Sequence, residues 1–452
     1  MSERKPATPV DMQRGERIAR YLLWSAMMWL AVRVLLVCAM DQQTPFLSAN
    51  DRSRWCTVRS LVEQNTYRID DVIENRGWNT IDKVSHVGSD GKQHYYSSKP
   101  PLLATIVAGF YWPLHHILGL SFAEQPFLIG RTLIFTVNGL LLLILLRTCL
   151  AIIDRWSTTE WGRLYAAAVI TWGTFLTTFA VTLNNHLPAA TAVALVAWGL
   201  LNIRYEGRRE WWIFALIGSA SAMAAANDLP CLSLVAAAGL GCLIVSFRQT
   251  LLGFVPGLLL VVAAFFATNK IAHDSWRPPY AHRAAGQDWQ GDNWYNYPGT
   301  YWNEEGRQGV DRGELSIAKY AFHTSLGHHG VLSLTPVWLL CFGGVWLLAK
   351  KESRPEMALL IAALTSVCWL FYINRPLVDR NYAGLCCGFR WMFWLIPLWL
   401  VALIPLADSI AANRKWRRVA WILFTISLVS ALYGSFHPWV HPWPYALLLY
   451  FQ

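Results

Sequence analysis

Charge is the scarcest ingredient of this 452-residue chain: Asp, Glu, Lys and Arg together make up 15% of it. A soluble protein of this length carries nearer a quarter, so an ordinary water-facing surface is excluded. Metal-ligand spacing is also lacking among the nine cysteines. Cys38, Cys149, Cys231, Cys242, Cys341 and Cys368 lie in apolar stretches and read as packing residues. Cys56, Cys386 and Cys387 fall outside them, and the sequence leaves a disulfide from Cys56 to one of the other two open. A cleavable leader is missing as well. Tyr21 to Met40 is too long for a signal-peptide core and has no good cleavage site, so it reads as a retained signal anchor.

Apolar residues are plentiful, at 55%. A spanning helix needs about 20 of them in succession, and segments of that kind stand near 21–40, 126–148, 164–183, 188–203, 211–227, 231–247, 251–268, 330–349, 357–374, 391–407 and 419–434. The expected fold is an all-α polytopic membrane protein of about eleven transmembrane helices, with juxtamembrane helices and loops on the outer face. Four parts follow: a cytoplasmic tail (1–20), an N-terminal transmembrane module (21–268) holding an outer loop at 41–125, a second outer loop (269–329), and a C-terminal transmembrane module (330–452).

The loops alternate in character. One set is basic: RKPATPVDMQRGERIAR, Arg147 to Arg163, RYEGRRE, Arg248, KKESR and NRKWRR. The positive-inside rule makes these cytoplasmic, and the formal net charge of +10 then reads as topology rather than nucleic-acid binding. The other set holds Asp51, Lys99, Arg131, His186, Asp228 and Arg390, so the chemistry faces outward, where no nucleotide is expected. Arg33 stands apart inside the first span, either as a functional intramembrane charge or snorkelling to the interface.

Leu102 to Leu120 is apolar enough to cross. If it did, every later basic loop would change sides, and Pro113, His115 and His116 are poor neighbours for lipid. An interfacial or re-entrant helix is expected instead. In the first outer loop, Asp51 to Glu63 reads as an amphipathic helix, and Lys83–Val87 with Gln93–Tyr96 reads as a hairpin around Gly-Ser-Asp-Gly. The second, rich in Gly, Trp, Tyr and Asn (GQDWQGDNWYNYPGTYWNEEGRQGVDRGE), suits carbohydrate stacking or simply a membrane-surface loop. Asn185-His-Leu-Pro and Asn227-Asp-Leu-Pro each start a helix with an Asn N-cap. Such starts either aim free N–H groups at an anion or are ordinary caps.

Two motifs carry chemistry together. Asn50-Asp-Arg-Ser-Arg-Trp55 places a carboxylate just after a membrane helix, where it could act as a general base. Tyr95-Tyr-Ser-Ser-Lys-Pro-Pro-Leu102 holds a lysine at a helix start, suited to phosphate. In that order and on that face they resemble the GT-C superfamily of membrane glycosyltransferases, most closely its aminoarabinose-transferase and protein-mannosyltransferase branch. The resemblance is specific over about 50–135 and carries Asp51, Arg54-Trp55, Lys99-Pro-Pro-Leu102 and Arg131. It implies that Asp51 is the catalytic base or its acceptor-orienting equivalent. It implies that Lys99, with Arg131, holds the phosphate of a polyprenyl-phosphate sugar. Arg54, Tyr96, His186, Asp228 and Arg390 are further candidates for substrate binding, and His186 either substitutes for the usual Asp or marks a loop that has lost its role.

The sequence departs from the family at Arg52, where a second acidic residue is usual, and at Asn184-Asn-His186, where an Asp is usual. Tyr382 to Arg390 looks like a glycine-rich run ending in Arg in related GT-C-like chains. There Arg390 would meet an anion or, alternatively, snorkel.

The mechanism implied is a single inverting displacement at an anomeric carbon, needing no nucleotide and no redox cofactor. A divalent cation could be shared by Asp51, His186 and Asp228, though nothing in their spacing demands it. The implied partners are a polyprenyl-phosphate sugar, a lipid, polysaccharide or protein acceptor, and membrane lipids, and the implied location is a bacterial inner membrane. The rival readings are a secondary transporter, which would place ionisable residues at mid-membrane depth, and a non-catalytic polyprenyl-lipid-binding protein.

Overall fold

The computed structural model describes residues 9–284, 292–350 and 354–451, with side chains from residue 15 onward. Helix α1 (Pro9–Leu36) leads into the first long loop. There α2 (Ala49–Glu63) starts where Ser48 and Asp51 cap each other's backbone reciprocally. A single turn, α3 (Asp70–Ile73), precedes the antiparallel strands β1 (Lys83–Val87) and β2 (Gln93–Ser97), which pair Lys83 with Ser97. α4 (Pro101–His116) opens on the second proline of Lys-Pro-Pro, at a position where a missing N–H costs nothing.

α5 (Pro126–Leu133) and α6 (Gly139–Trp156) continue through a π-helical turn as one 31-residue rod. α7 (Glu160–Trp172), the short α8 (Phe175–Phe179), α9 (His186–Tyr205), α10 (Trp211–Asn227) and α11 (Leu232–Val245) follow. Next come α12 (Phe247–Gln249) and α13 (Val255–His273), also joined by a π turn. After the second long loop come α14 (Ile317–Ser325), α15 (Val331–Leu334), α16 (Leu340–Leu348) and α17 (Pro355–Ile373). The last are α18 (Ile396–Ile410), α19 (Arg414–Tyr433) and α20 (Trp443–Tyr450).

The fold is helical and polytopic, as expected. Among the described residues six stretches are long and apolar enough to cross a membrane: Gly15–Leu36, Pro126–Trp156, His186–Tyr205, Phe247–His273, Pro355–Ile373 and Arg390–Ile410. At the other five expected positions the helices are shorter, interrupted or carry a basic first turn. Glycine lets two pairs pack backbone to backbone. A Cβ on Gly253 or Gly257 of the rod ending in α13 would collide with α10 carbonyls at Trp211 and Ala215, and one on Gly344 of α16 with the Ala402 carbonyl of α18.

The basic loops meet at one end of the bundle. Arg155 pairs with Glu206, Arg204 with Glu356, and Arg163 with Asp154 at 3.3 Å, while Arg354 lies 3.8 Å over the Trp156 ring. Asp408 accepts from Thr158 N at 2.7 Å and Thr159 N at 3.0 Å. α9 alone, 20 residues or about 30 Å long, separates this end from the one bearing His186. Residues 1–8 of the tail and 351–353 of the KKESR loop lie outside the described residues.

α4 packs along α2, start against start and end against end. Pro100 sits beside Arg54 and Asn185, while Phe122, just past the helix, donates its N–H to Glu63 of α2 at 2.7 Å. Tyr111 reaches the same carboxylate at 2.7 Å. The second long loop packs onto the hairpin of the first. Ser85 N donates to Trp294 O at 2.8 Å, and Trp302 Nε1 to Ile81 O at 2.7 Å. Tyr295 and Tyr297 are buried there, so much of the aromatic content glues loop to loop. Gly286 to Gly291 of that stretch lie outside the described residues.

Arg33 neither snorkels nor faces a ligand. Fully buried, it donates to the Thr177 carbonyl, to that of Thr178 at 3.1 Å and to that of Ser435 at 2.9 Å, closing the ends of α8 and α19. All nine cysteines are free, and Cys56 Sγ faces the Trp78 carbonyl at 3.3 Å, so no disulfide joins it to Cys386 or Cys387.

Candidate functional site

At the loop end, α2, the start of α9, the end of α10 and the segment before α18 deliver polar side chains into one connected network. Arg54, 4% exposed, donates Nη1 to the side chain and carbonyl of Asn50 (2.7 and 2.9 Å), one turn before it on α2. Its Nη2 donates to Asn185 Oδ1 at 2.9 Å. Asn185 Nδ2 passes the chain on to Asp228 Oδ1 at 2.9 Å. Asp228 Oδ2 meets His186 Nδ1 at 3.2 Å, and His186 Nε2 faces Arg390 Nη1 at 3.2 Å. Because Arg390 can only donate, one tautomer satisfies both contacts: Nδ1–H to Asp228, and bare Nε2 toward Arg390. Arg390 Nε donates to the Ala383 carbonyl at 2.8 Å, and its guanidinium lies 4.8 Å over the Trp439 ring.

Lys99 stands beside this network and feels the charges of both arginines. Its Nζ pairs with Asp82 Oδ2 at 3.0 Å. The hairpin explains the pairing: Lys83 opposes Ser97, so Asp82 falls beside Ser98, whose N–H bonds the Asp82 carbonyl at 3.1 Å. Burial pulls the Lys99 ammonium down to about 8; Asp82 opposes that, and Arg54 and Arg390 add to it. Burial likewise brings Arg54 down to about 10, against the attraction of Asp82. Neither Arg54 nor Arg390 has a carboxylate at ion-pair distance among the described residues. Two guanidinium groups thus face the site without an ion-pair partner, which leaves both able to meet an anion.

Five residues read from the sequence therefore gather: Arg54, Lys99, His186, Asp228 and Arg390. Three others do not join as expected. Asp51 is fully buried and carries five donors: Ser48 N, Ser48 Oγ and Arg52 N on Oδ1, with Leu47 N and Thr182 Oγ1 on Oδ2. A carboxylate offers about four lone-pair sites, so in this geometry Asp51 caps α2 with every site taken. Arg131 donates to the Val37 carbonyl at 3.1 Å and lies over the Phe127 ring; none of its hydrogen bonds among the described residues reaches the network. Tyr96 stacks flat on His86 at 4.1 Å, in the aromatic joint between hairpin and second loop.

The helix starts are also corrected. Asn184, not Asn185, caps α9, accepting from His186 N at 2.9 Å and Leu187 N at 3.1 Å. Asn227 ends α10 rather than beginning the next helix. The first N–H groups of α9 are therefore spent on a cap, and the anion-binding capacity rests on side chains. Among the described residues no group of three or more His, Cys, Asp or Glu is placed to hold a metal ion; Asp228 meets His186, while Asp51 turns to Thr182.

Sequence reasoning missed Asn185, Asp82 and Asp311. Asp82 was implicit in the hairpin register. Asp311 accepts from Asn381 and Tyr301 in the docked second loop and carried no sequence signal.

No family model matches the chain, and no curated protein sequence matches it. Among solved structures it is similar to ArnT from Cupriavidus metallidurans in its apo state: TM-score 0.52, 14% identity, 88% of this chain covered. An oligosaccharyltransferase from Archaeoglobus fulgidus is a looser match, with TM-score 0.47 and 13% identity over 93% of this chain. The chain spans 60% of the length of ArnT and 53% of the oligosaccharyltransferase. At such identity the likeness is one of architecture: the chain shares the fold of ArnT.

Proposed function

We propose that this protein is an integral-membrane glycosyltransferase that moves a sugar from a polyprenyl-phosphate donor to an acceptor hydroxyl on the extracytoplasmic side of a bacterial inner membrane. The observation that carries the reading is a pair of guanidinium groups, Arg54 and Arg390, without an ion-pair partner among the described residues, beside Lys99 at the loop end of an apolar helical bundle. A phosphodiester headgroup brings one negative charge, and its departure as a monoester brings a second. Fixed cations outside bulk water stabilise that growing charge more than the ground state, which is what lowers a barrier. The GT-C fold adds the architectural support.

Arg54 and Arg390 present planar forks to the phosphate, and Lys99 supplies a point charge. Asp82 holds Lys99 in place until the headgroup arrives. Asn185, Asp228 and His186 fix the two guanidinium groups relative to each other, so little reorganisation is left for the reaction. Among the described residues the ionisable side chains of this network collect at one end of the bundle, which favours an interfacial enzyme over a transporter. The test is mass spectrometry of lipids that co-purify with the protein from its own membranes. Wild type is expected to carry a polyprenyl phosphate or its sugar ester, and Lys99→Ala to lose it. Well-folded wild-type protein without such a lipid would remove the support for the donor class.

A further inference from the structure

A carboxylate that takes a proton during transfer needs a free lone pair and an opening toward the reacting carbon. Asp51 has neither. Asp82 is spent on Lys99. Asp311, in the short 3-10 turn Gly309–Arg312 of the second loop, has both. Each of its oxygens accepts one hydrogen bond, from Asn381 Nδ2 on Oδ1 at 2.7 Å and from Tyr301 Oη on Oδ2 at 3.0 Å. About two of its four lone-pair sites remain unused, and among the described residues no cation stands at ion-pair distance.

The opening is made by Gly384, at φ +77. Arg390 Nη2 and Asp311 Oδ1 each lie 3.9 Å from the point a Cβ there would occupy, so the guanidinium and the carboxylate face one gap. Burial raises the Asp311 pKa; the Asn381 and Tyr301 hydrogen bonds oppose that, the charge of Asp82 adds to it, and Arg390 lowers it. The direction is the one a base needs to work near neutral pH.

We propose that Asp311 is the general base that accepts the proton of the acceptor hydroxyl, a role that rests on the lipid-phosphate reading above. The acceptor oxygen forms a bond to the anomeric carbon through a lone pair, and its proton passes to an unused lone pair of the Asp311 carboxylate. The bond between that carbon and the phosphate oxygen breaks, and its electron pair leaves with the polyprenyl phosphate onto Arg390, Arg54 and Lys99. The single displacement inverts the anomeric centre, and Asp311 afterward gives its proton to water. No metal or redox partner enters the balance.

The experiment uses full-length protein in nanodiscs made from its own membranes, with C55 polyprenyl phosphate added as a probe, and follows bound lipids by native mass spectrometry. Asp311→Asn should retain intact sugar ester, with turnover reduced about 100-fold, the scale of a lost general base. Wild-type turnover in Asp311→Asn overturns the proposal.

Should Asp311→Asn fail to fold, Asn381→Leu serves. Losing that hydrogen bond raises the carboxylate pKa, so the acid limb of turnover should move to higher pH; an unmoved limb overturns the proposal equally. If wild type binds neither the sugar ester nor added C55 polyprenyl phosphate, the donor reading falls and takes Asp311 with it.

Discussion

Asn185 bridges Arg54 and Asp228, accepting from one guanidinium nitrogen at 2.9 Å and donating to the carboxylate at 2.9 Å. An amide does this because it offers an acceptor and a donor on one short stem. It keeps Arg54 from collapsing onto Asp228 and leaves its charge available. Asn185→Asp should place a carboxylate on Arg54 and weaken C55 polyprenyl phosphate binding at least tenfold. Asn185→Ala should instead lower stability by about 1–3 kcal/mol, the cost of an unsatisfied buried donor, as read by thermal unfolding in detergent.

Lys99 predicts a pH dependence. Its ammonium titrates near 8 in the folded protein, below its ordinary 10.5, chiefly through burial. Below pH 8 it is charged and can hold a phosphate; as pH rises past 8 the charge goes, and affinity for C55 polyprenyl phosphate should fall. Stability should move the opposite way. Between about 8 and 10.5 the unfolded chain binds the extra proton, so this residue's contribution to stability rises with pH. Lys99→Arg should abolish the binding decline over that range in a titration by native mass spectrometry.

Asp51 and Arg33 predict stability effects without changes in chemistry. Asp51→Asn turns an amide donor toward Ser48 N, Ser48 Oγ, Arg52 N, Leu47 N and Thr182 Oγ1, several of which must go unmet. A loss of about 1–3 kcal/mol is expected, with bound lipid unchanged. Arg33→Leu strands the carbonyls of Thr177, Thr178 and Ser435, and a loss of roughly 3 kcal/mol should appear in the melting curve.

Gly257→Leu should separate α13 from α10, because the Ala215 carbonyl occupies the space a side chain needs. Substituting Leu at Gly109, where a Cβ meets nothing within 4 Å, is the control. Limited proteolysis of the two variants in the same detergent should cleave only the first more rapidly than wild type.

Local patterns made the first loop legible. The helix read from Asp51 began at Ala49, Gly-Ser-Asp-Gly marked the hairpin turn, and Lys-Pro-Pro marked α4, each within a residue or two. Charge sidedness brought out Arg54, Lys99, His186, Asp228 and Arg390 as neighbours, since cations kept out of lipid on one face must share limited space. Asp51 reads two ways because a capping carboxylate and a catalytic one look alike in sequence until their donors are counted. Asp311 and Asn185 were silent for a different reason. Their meaning comes from loops docking across 70 and 131 residues of chain, a relation no local pattern carries. The span count blurred where π turns and short breaks divide helices that hydropathy alone reads as whole.

The arginine in α1 also says something about how the molecule is made. One of its three acceptors, Ser435, lies 402 residues further along the chain. Until α19 has been synthesised and inserted, α1 carries a guanidinium whose final partners do not yet exist, inside a medium hostile to it. The helix that enters early therefore cannot be fully seated early. Its last adjustment belongs to the end of assembly, and a chain stalled before α19 should present a loosely held α1 to membrane quality control.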